Sequence, residues 1–140
     1  MGLYPKQQRS TLNLRGTTQI HSVALTTTAA ELNLNDQEYQ LLVADGAITV
    51  KNGVCKIAKT VAGVVAATLA DPINVTDDFR RLTIISDQAQ ANIVTSATSF
   101  GGGGAGEDVC TFSGVVGDTV ELIAHGGKWY ITGGHQFIVA

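Results

Sequence analysis

A mainly β fold is predicted by three features of the sequence. Glycine supplies 16 of its 140 residues, and Ala, Val and Thr fill much of the remainder. Such a mixture of small and β-branched side chains suits strands and tight turns better than long helices. Charged residues are 15% of the chain and aromatics 6%, against an apolar fraction of 44%. The apolar residues recur in short alternating runs separated by glycine-bearing turns, the pattern of a sandwich, a barrel or a β-prism. The fold class expected is therefore a single compact β-sandwich or barrel-like domain of short antiparallel strands over residues 26–140. An extended arm over residues 1–25 precedes it, and one short helix opens it. A chain of this length buries roughly 68% of its unfolded surface, enough for one modest core.

The elements follow in order. Residues 1–24 are polar, basic and weakly patterned, and read as an extended arm. Thr28 and Glu31 form a Thr-x-x-Glu capping box that opens a helix of one or two turns from Ala29 to about Leu34. Asn33, Asn35 and Asp36 then favour a turn. The run "YQLLVA" precedes Asp45-Gly46, "AITVK" precedes Asn52-Gly53, and "VCKIAK" follows. Asn-Gly between alternating runs is a strong hairpin signal. "GVVAATLADP" is a strand that stops at Pro72, and "VTDDF" is a turn or a single helical turn capped by Thr76. "RRLTIISDQ" and "ANIVTSATSF" are the next strands. The run "GGGGAG" at 101–106 interrupts them, and "DVCTFSG", "DTVELIAHG", "KWYITGG" and "QFIVA" complete the set.

The charge is uneven. Residues 1–30 hold three of the nine basic residues, Lys6, Arg9 and Arg15, and none of the twelve acidic ones, so this part carries +3 and the remainder −6. An acidic body with a basic arm lacks the basic face of a nucleic-acid module. The arm suits docking on an acidic neighbour, including another copy, or a solvated leader. "MGLYPKQQRSTLNLRG" has no apolar h-region, so no secretory signal is expected. No apolar run is long enough for a membrane-spanning helix, and Lys6 stands where the myristoylation pattern needs Ser or Thr.

Chemistry-bearing constellations are sparse, and no catalytic, cofactor or metal site is expected. Cys55 and Cys110 sit alone in alternating apolar runs with no CxxC, and are expected as buried reduced thiols, in keeping with cytosolic assembly. The Gly101–Gly104 run lacks the Gly-Lys-Ser/Thr of a phosphate loop and is followed by Glu107 and Asp108, which repel phosphate. It is expected as a flexible, exposed loop able to meet a partner. Asp77-Asp78 and Glu107-Asp108 are adjacent carboxylates; on a strand they point to opposite faces, and in a loop they are solvated turn residues. If Gly126-Gly127 and Gly133-Gly134 are both turns, His125 opposes Lys128 and His135 opposes Thr132. The two rings are then ~13 Å apart at about 3.3 Å per residue, too far to share a metal within one chain. His21 lies in the arm with no ligand set around it.

The chain's single tryptophan, Trp129, lies in "GDTVELIAHGGKWYIT". Val120, Leu122 and Ala124 share one face of this stretch, and Trp129 and Ile131 continue it past the glycine pair. Pairing sets Trp129 beside Ala124, large against small, as in a well-packed hairpin. Trp129, Leu122 and Ile131 are expected to be core residues rather than a ligand platform.

The longer segment "FSGVVGDTVELIAHGGKWYITGG" resembles the C-terminal part of tailed-phage virion proteins, among them small head decoration (cement) proteins and fibre modules. Phe112, Gly114, Gly117, Asp118, Leu122, Gly127, Lys128, Trp129 and Tyr130 match that pattern. "LTTTAAELNLND" is similar to the Thr-Ala-Ala-Glu-Leu-Asn element near the start of such proteins, although Asn-Asp-Gln-Glu at 35–38 replaces the usual Leu-Asp-Gly. "RLTIISDQAQANIVTSATSFGGG" follows the same order of strand, strand and glycine loop. The resemblance implies a non-enzymatic structural protein of the virion, assembled in the host cytoplasm and located on the capsid surface. It further implies a homotrimer whose partner is the major capsid protein, with neither nucleic acid nor membrane as a partner and with Lys6, Arg9 and Arg15 contributing to capsid or subunit contacts. A fibre or spike module that meets the host surface is the alternative the same resemblance allows.

Overall fold

The structure is a computed structural model that describes residues 19–20, 23–24, 37–49, 51–59, 61–101 and 106–140. The chain divides into two units, Met1–Asn33 and Leu34–Ala140. In the first, β1 (Gln19–Ile20) pairs antiparallel with β2 (Val23–Ala24). The expected helix at 29–34 and the basic residues Lys6, Arg9 and Arg15 lie outside the described residues, as does His21.

Among its described residues the second unit holds ten strands: β3 (Glu38–Leu42), β4 (Gly46–Ile48), β5 (Gly53–Ile57), β6 (Ala66–Leu69), β7 (Arg81–Ser86), β8 (Ile93–Ser96), β9 (Val109–Phe112), β10 (Asp118–His125), β11 (Lys128–His135) and β12 (Phe137–Val139). They form two five-stranded sheets, ordered β11-β10-β7-β5-β3 (sheet 1) and β12-β9-β8-β6-β4 (sheet 2). No helix occurs among the described residues, and the sheets do not close into a barrel. The mainly β expectation holds.

The expectation of antiparallel strands holds only for the C-terminal part. From β3 to β8 the chain alternates between the sheets, so that β3, β5 and β7 run parallel in sheet 1 and β4, β6 and β8 run parallel in sheet 2. Three successive coils are thus stacked, as in a short solenoid, where each coil contacts only its neighbours. The chain then doubles back, and β9, β10, β11 and β12 add antiparallel strands at the far side of both sheets. Neither Asp45-Gly46 nor Asn52-Gly53 closes a hairpin: the strands they join lie in different sheets. Gly53 instead makes the step between coils. Its φ is 141°, and a Cβ there would collide with the Glu38 backbone, whose N–H donates to Asn52 O at 2.7 Å.

The reason lies in the inward residues. Gln40, Cys55, Ile84 and Val120 occupy one register across sheet 1, and Ala67, Val94 and Cys110 one across sheet 2. Each coil contributes apolar residues to both layers, and crossing from sheet to sheet sets them against one another. An isolated two-stranded hairpin would leave that surface wet. Cys55, Ile57, Ile84, Val94, Cys110, Phe112, Leu122 and Trp129 are buried in the resulting core.

Candidate functional site

Trp129 is the pivot of one end of the domain. Its Cα partner is Ala124, as the alternation predicts, and Val120, Leu122 and Ala124 face the core with it. Trp129 is 0% exposed, and its Nε1 donates to Ala70 O at 2.9 Å. Gly126 and Gly127 have φ of 59° and 77°, the two left-handed residues that a tight hairpin turn requires. Ile131 is partly buried against the core and pairs with Leu122. The expectation of a second glycine turn fails. β11 runs on through Gly133 and Gly134 to His135, with a bulge between Glu121 and Leu122, so His135 pairs with Thr119 rather than Thr132. The bulge absorbs the one-residue mismatch and lets the strand continue. His125 and His135 stand at opposite ends of the ladder. No group of three His, Cys, Asp or Glu suited to a metal ion occurs among the described residues.

Around Trp129, three connecting segments converge. The Gly101 N–H donates to Trp129 O at 2.6 Å, and a Cβ at Gly101 would enter the ring of Tyr130. The glycine run therefore begins with a packing constraint: Tyr130 lies against bare backbone. Residues 102–105 of that loop lie outside the described residues. On the other side, the segment between β6 and β7 is tied to the hairpin by Phe79 N–H to Ala124 O at 2.8 Å and Ala124 N–H to Arg80 O at 2.9 Å. Asp78 accepts from the Gly126 N–H at 2.9 Å and lies 3.3 Å from His125 Nδ1.

Asp77 anchors this segment. Its carboxylate accepts from Lys51 Nζ at 2.7 Å and from the Ile73 N–H at 2.7 Å, and Arg80 Nε lies 3.3 Å away. Burial raises the pKa of such a group, but the hydrogen bonds from Lys51 and Ile73 and the charges of Lys51 and Arg80 outweigh it, and the carboxyl is held below its ordinary value. Asp77 is thus no solvated turn residue, which corrects the sequence reading; a lone acidic pair gives no sign of a cation that arrives from 26 residues upstream, nor that Arg80, three residues on, turns back to it.

What the anchored segment displays is apolar. Ile73, Val75 and Phe79 are exposed, Val75 at 80% and Phe79 at 73%. Val75 and Phe79 adopt φ of 69° and 68°, the left-handed region that bulky and β-branched residues avoid. Such strain persists only where the surroundings over-determine it, and it collects at functional sites. The Phe79 ring lies 5.8 Å from that of His125, which lies 6.3 Å from Tyr130. A row of Phe79, His125 and Tyr130 bordered by Asp78 results. Sequence reasoning missed it, because its members come from two distant segments and only the closing of β7 on β10 joins them.

The cysteines behave as expected. Cys55 and Cys110 are free and buried, and burial pushes their thiols up to about 11 and about 12. Neither is a nucleophile near neutral pH. Among the described residues no helix is long and apolar enough to cross a membrane. No protein-family profile, no curated protein and no solved structure matches this chain.

Proposed function

We propose that this protein is a structural component of a tailed-phage virion, a decoration protein that binds the outside of the head and stabilises the shell of major capsid protein. The observation that carries this reading is the exposed set Ile73, Val75 and Phe79, held out by a strained backbone around the buried Asp77 ion pairs. Apolar residues fixed in solvent by a rigid anchor fit contact with another protein. One of the three segments that carry the phage resemblance, the one with Phe112 to Tyr130, also holds His125 and Tyr130 of the ring row beside Phe79. A ligand that binds only the assembled shell stabilises it by mass action. The basic Lys6, Arg9 and Arg15 add contacts to an acidic neighbour, and a trimer multiplies the contacts of each copy.

The test is co-sedimentation with expanded, DNA-free capsids. Saturable binding at many copies per shell, with a higher shell melting temperature, is the expected result. Removal of residues 1–24 should weaken retention at moderate salt. A folded protein that ignores capsids at every concentration overturns the reading.

A second reading, a fibre or spike module meeting the host surface, is favoured by the Phe79, His125 and Tyr130 rings beside the Asp78 carboxylate. Ring faces next to a hydrogen-bond acceptor suit a sugar. Binding to host cells in place of capsids, lost in Phe79→Ser, would move the assignment there.

A further inference from the structure

The two sheets differ in what they turn outward. In sheet 1 the outward rows are Tyr39, Val54, Thr83 and Glu121, and Leu41, Lys56, Ile85, Thr119 and His135, with Arg81 and Ile123 in the next. Charge is distributed along them, and Lys56 pairs with Asp87 at 2.5 Å. In sheet 2 the outward rows are Ala47, Thr68, Thr95 and Val109, and Ala66, Ile93, Thr111 and Ile138. None of these eight is ionisable. Every one is small, β-branched or both, so the surface is flat and free of long side chains.

Two features give this face relief. Over β4, β6 and β8 lies a shallow concavity of about 250 Å³, lined by Ala47, Thr68, Leu69, Thr95, Ser96 and Ala97 among others. On β12, at the opposite edge of the sheet, Ile138 stands 72% exposed. Three strand spacings, ~14 Å at about 4.8 Å each, separate β12 from β6. A projecting aliphatic side chain and an apolar hollow therefore occupy one face whose two central rows carry no charge.

We propose that the outer face of sheet 2 is an interface between copies of this chain, with Ile138 of one copy seated in the Ala47, Thr68 and Thr95 hollow of another. A second copy is the occupant that the observations favour. The two outward rows carry no charge, and the carboxylate at their β4 edge, Asp45, already accepts from the Ala66 N–H, so a charge buried against these rows would go unpaired. Its own counterpart offers the knob for its hollow and the hollow for its knob, the reciprocity that a symmetric contact requires. Outward β-branched residues on two such sheets interdigitate at ~10 Å, as in a sandwich. The inference is independent of the capsid reading: a monomer that still coats capsids would refute only the present proposal, and an oligomer that ignores capsids would refute only the other.

The test uses the full chain. Light scattering and sedimentation should show a concentration-dependent dimer. Ile138→Lys and Thr68→Arg should each raise the dissociation constant by about 30-fold or more, as expected for a central contact, with the circular dichroism spectrum unchanged. Thr83→Lys, on the outer face of sheet 1, should leave the assembly intact. A chain carrying both Ile138→Cys and Thr68→Cys should form intermolecular disulfides on oxidation, because only contact between copies brings these positions within bonding reach. Either single cysteine variant should not give the same ladder. A chain that is monomeric at every concentration overturns the proposal. So does an oligomer that survives both charged substitutions and fails to cross-link.

Discussion

The two ends of the second unit put buried, hydrogen-bonded polar groups to different uses. At the end where β7 stops and β10 starts, Asn92 is fully buried and its side chain is satisfied internally. Its Oδ1 accepts from the Val65 N–H and from Gln88 Nε2 at 2.8 Å each, and its Nδ2 donates to Ser86 Oγ at 2.9 Å. Asp118 nearby accepts at Oδ2 from Ser113 Oγ and from the Gly114 and Val115 N–H groups, while its buried Oδ1 has no hydrogen-bond partner. These bonds fasten one turn to the next. At the other end Asp77 is as well satisfied, yet the segment it fastens holds Val75 and Phe79 in left-handed backbone with their side chains in water. One polar cluster secures the coil stack, while the other secures a display. The difference separates a structural device from an interaction device more clearly than burial or charge does, since both clusters are buried and hydrogen-bonded.

Substitutions at the two ends should differ in their effects, from the largest to the smallest. Trp129→Ala should have the largest, ~3–5 kcal/mol of lost stability in chemical denaturation, because it empties a fully buried aromatic site and takes the Nε1 donor from the Ala70 carbonyl. Asn92→Ala should cost about 3 kcal/mol by leaving the buried Val65 N–H without its acceptor and cutting the bonds to Gln88 and Ser86, while the folded fraction keeps its partner affinity. A selective loss of binding would instead make this end part of the interface.

Asp77→Ala should cost ~2–3 kcal/mol and, unlike Asn92→Ala, should also weaken binding by freeing the display. The pH dependence sharpens this. Because its folded value is lowered, Asp77 contributes stability that is fully present above the ordinary carboxylate value of 3.8 and is lost as pH falls through the lower folded value. Acid unfolding should therefore be less steep in the alanine variant; identical acid profiles would remove Asp77 from the account. The smallest stability effect belongs to Phe79→Gly. Glycine accepts φ of 68° without strain, so stability should be unchanged or rise by up to about 1 kcal/mol while partner binding falls. A clear loss of stability would show that Phe79 serves the fold.

Much of the strand content was legible in the sequence. The runs around Arg81–Ser86, Ile93–Ser96 and Val109–Phe112 alternate cleanly, and the β10–β11 hairpin was legible to the residue pair, Trp129 on Ala124. Its turn and its core face are local properties. The bulge at Glu121 and Leu122 was not legible, because Gly133-Gly134 reads as a turn when the neighbouring strand is unknown. The ring row was invisible for a similar reason: Phe79 reads as the end of a turn segment until Ala124 accepts its N–H.

By itself, the sequence determined the β character, the inward faces of the strands, the buried thiols and the tight turn after His125, since period-two alternation and left-handed glycine act over a few residues. Only the tertiary structure decided that Asp45-Gly46 and Asn52-Gly53 step between sheets instead of closing hairpins, that the coils stack in parallel, and that Asp77 meets Lys51 and Arg80. Those outcomes depend on which apolar faces are buried against each other, a choice among distant partners that no short stretch of chain encodes.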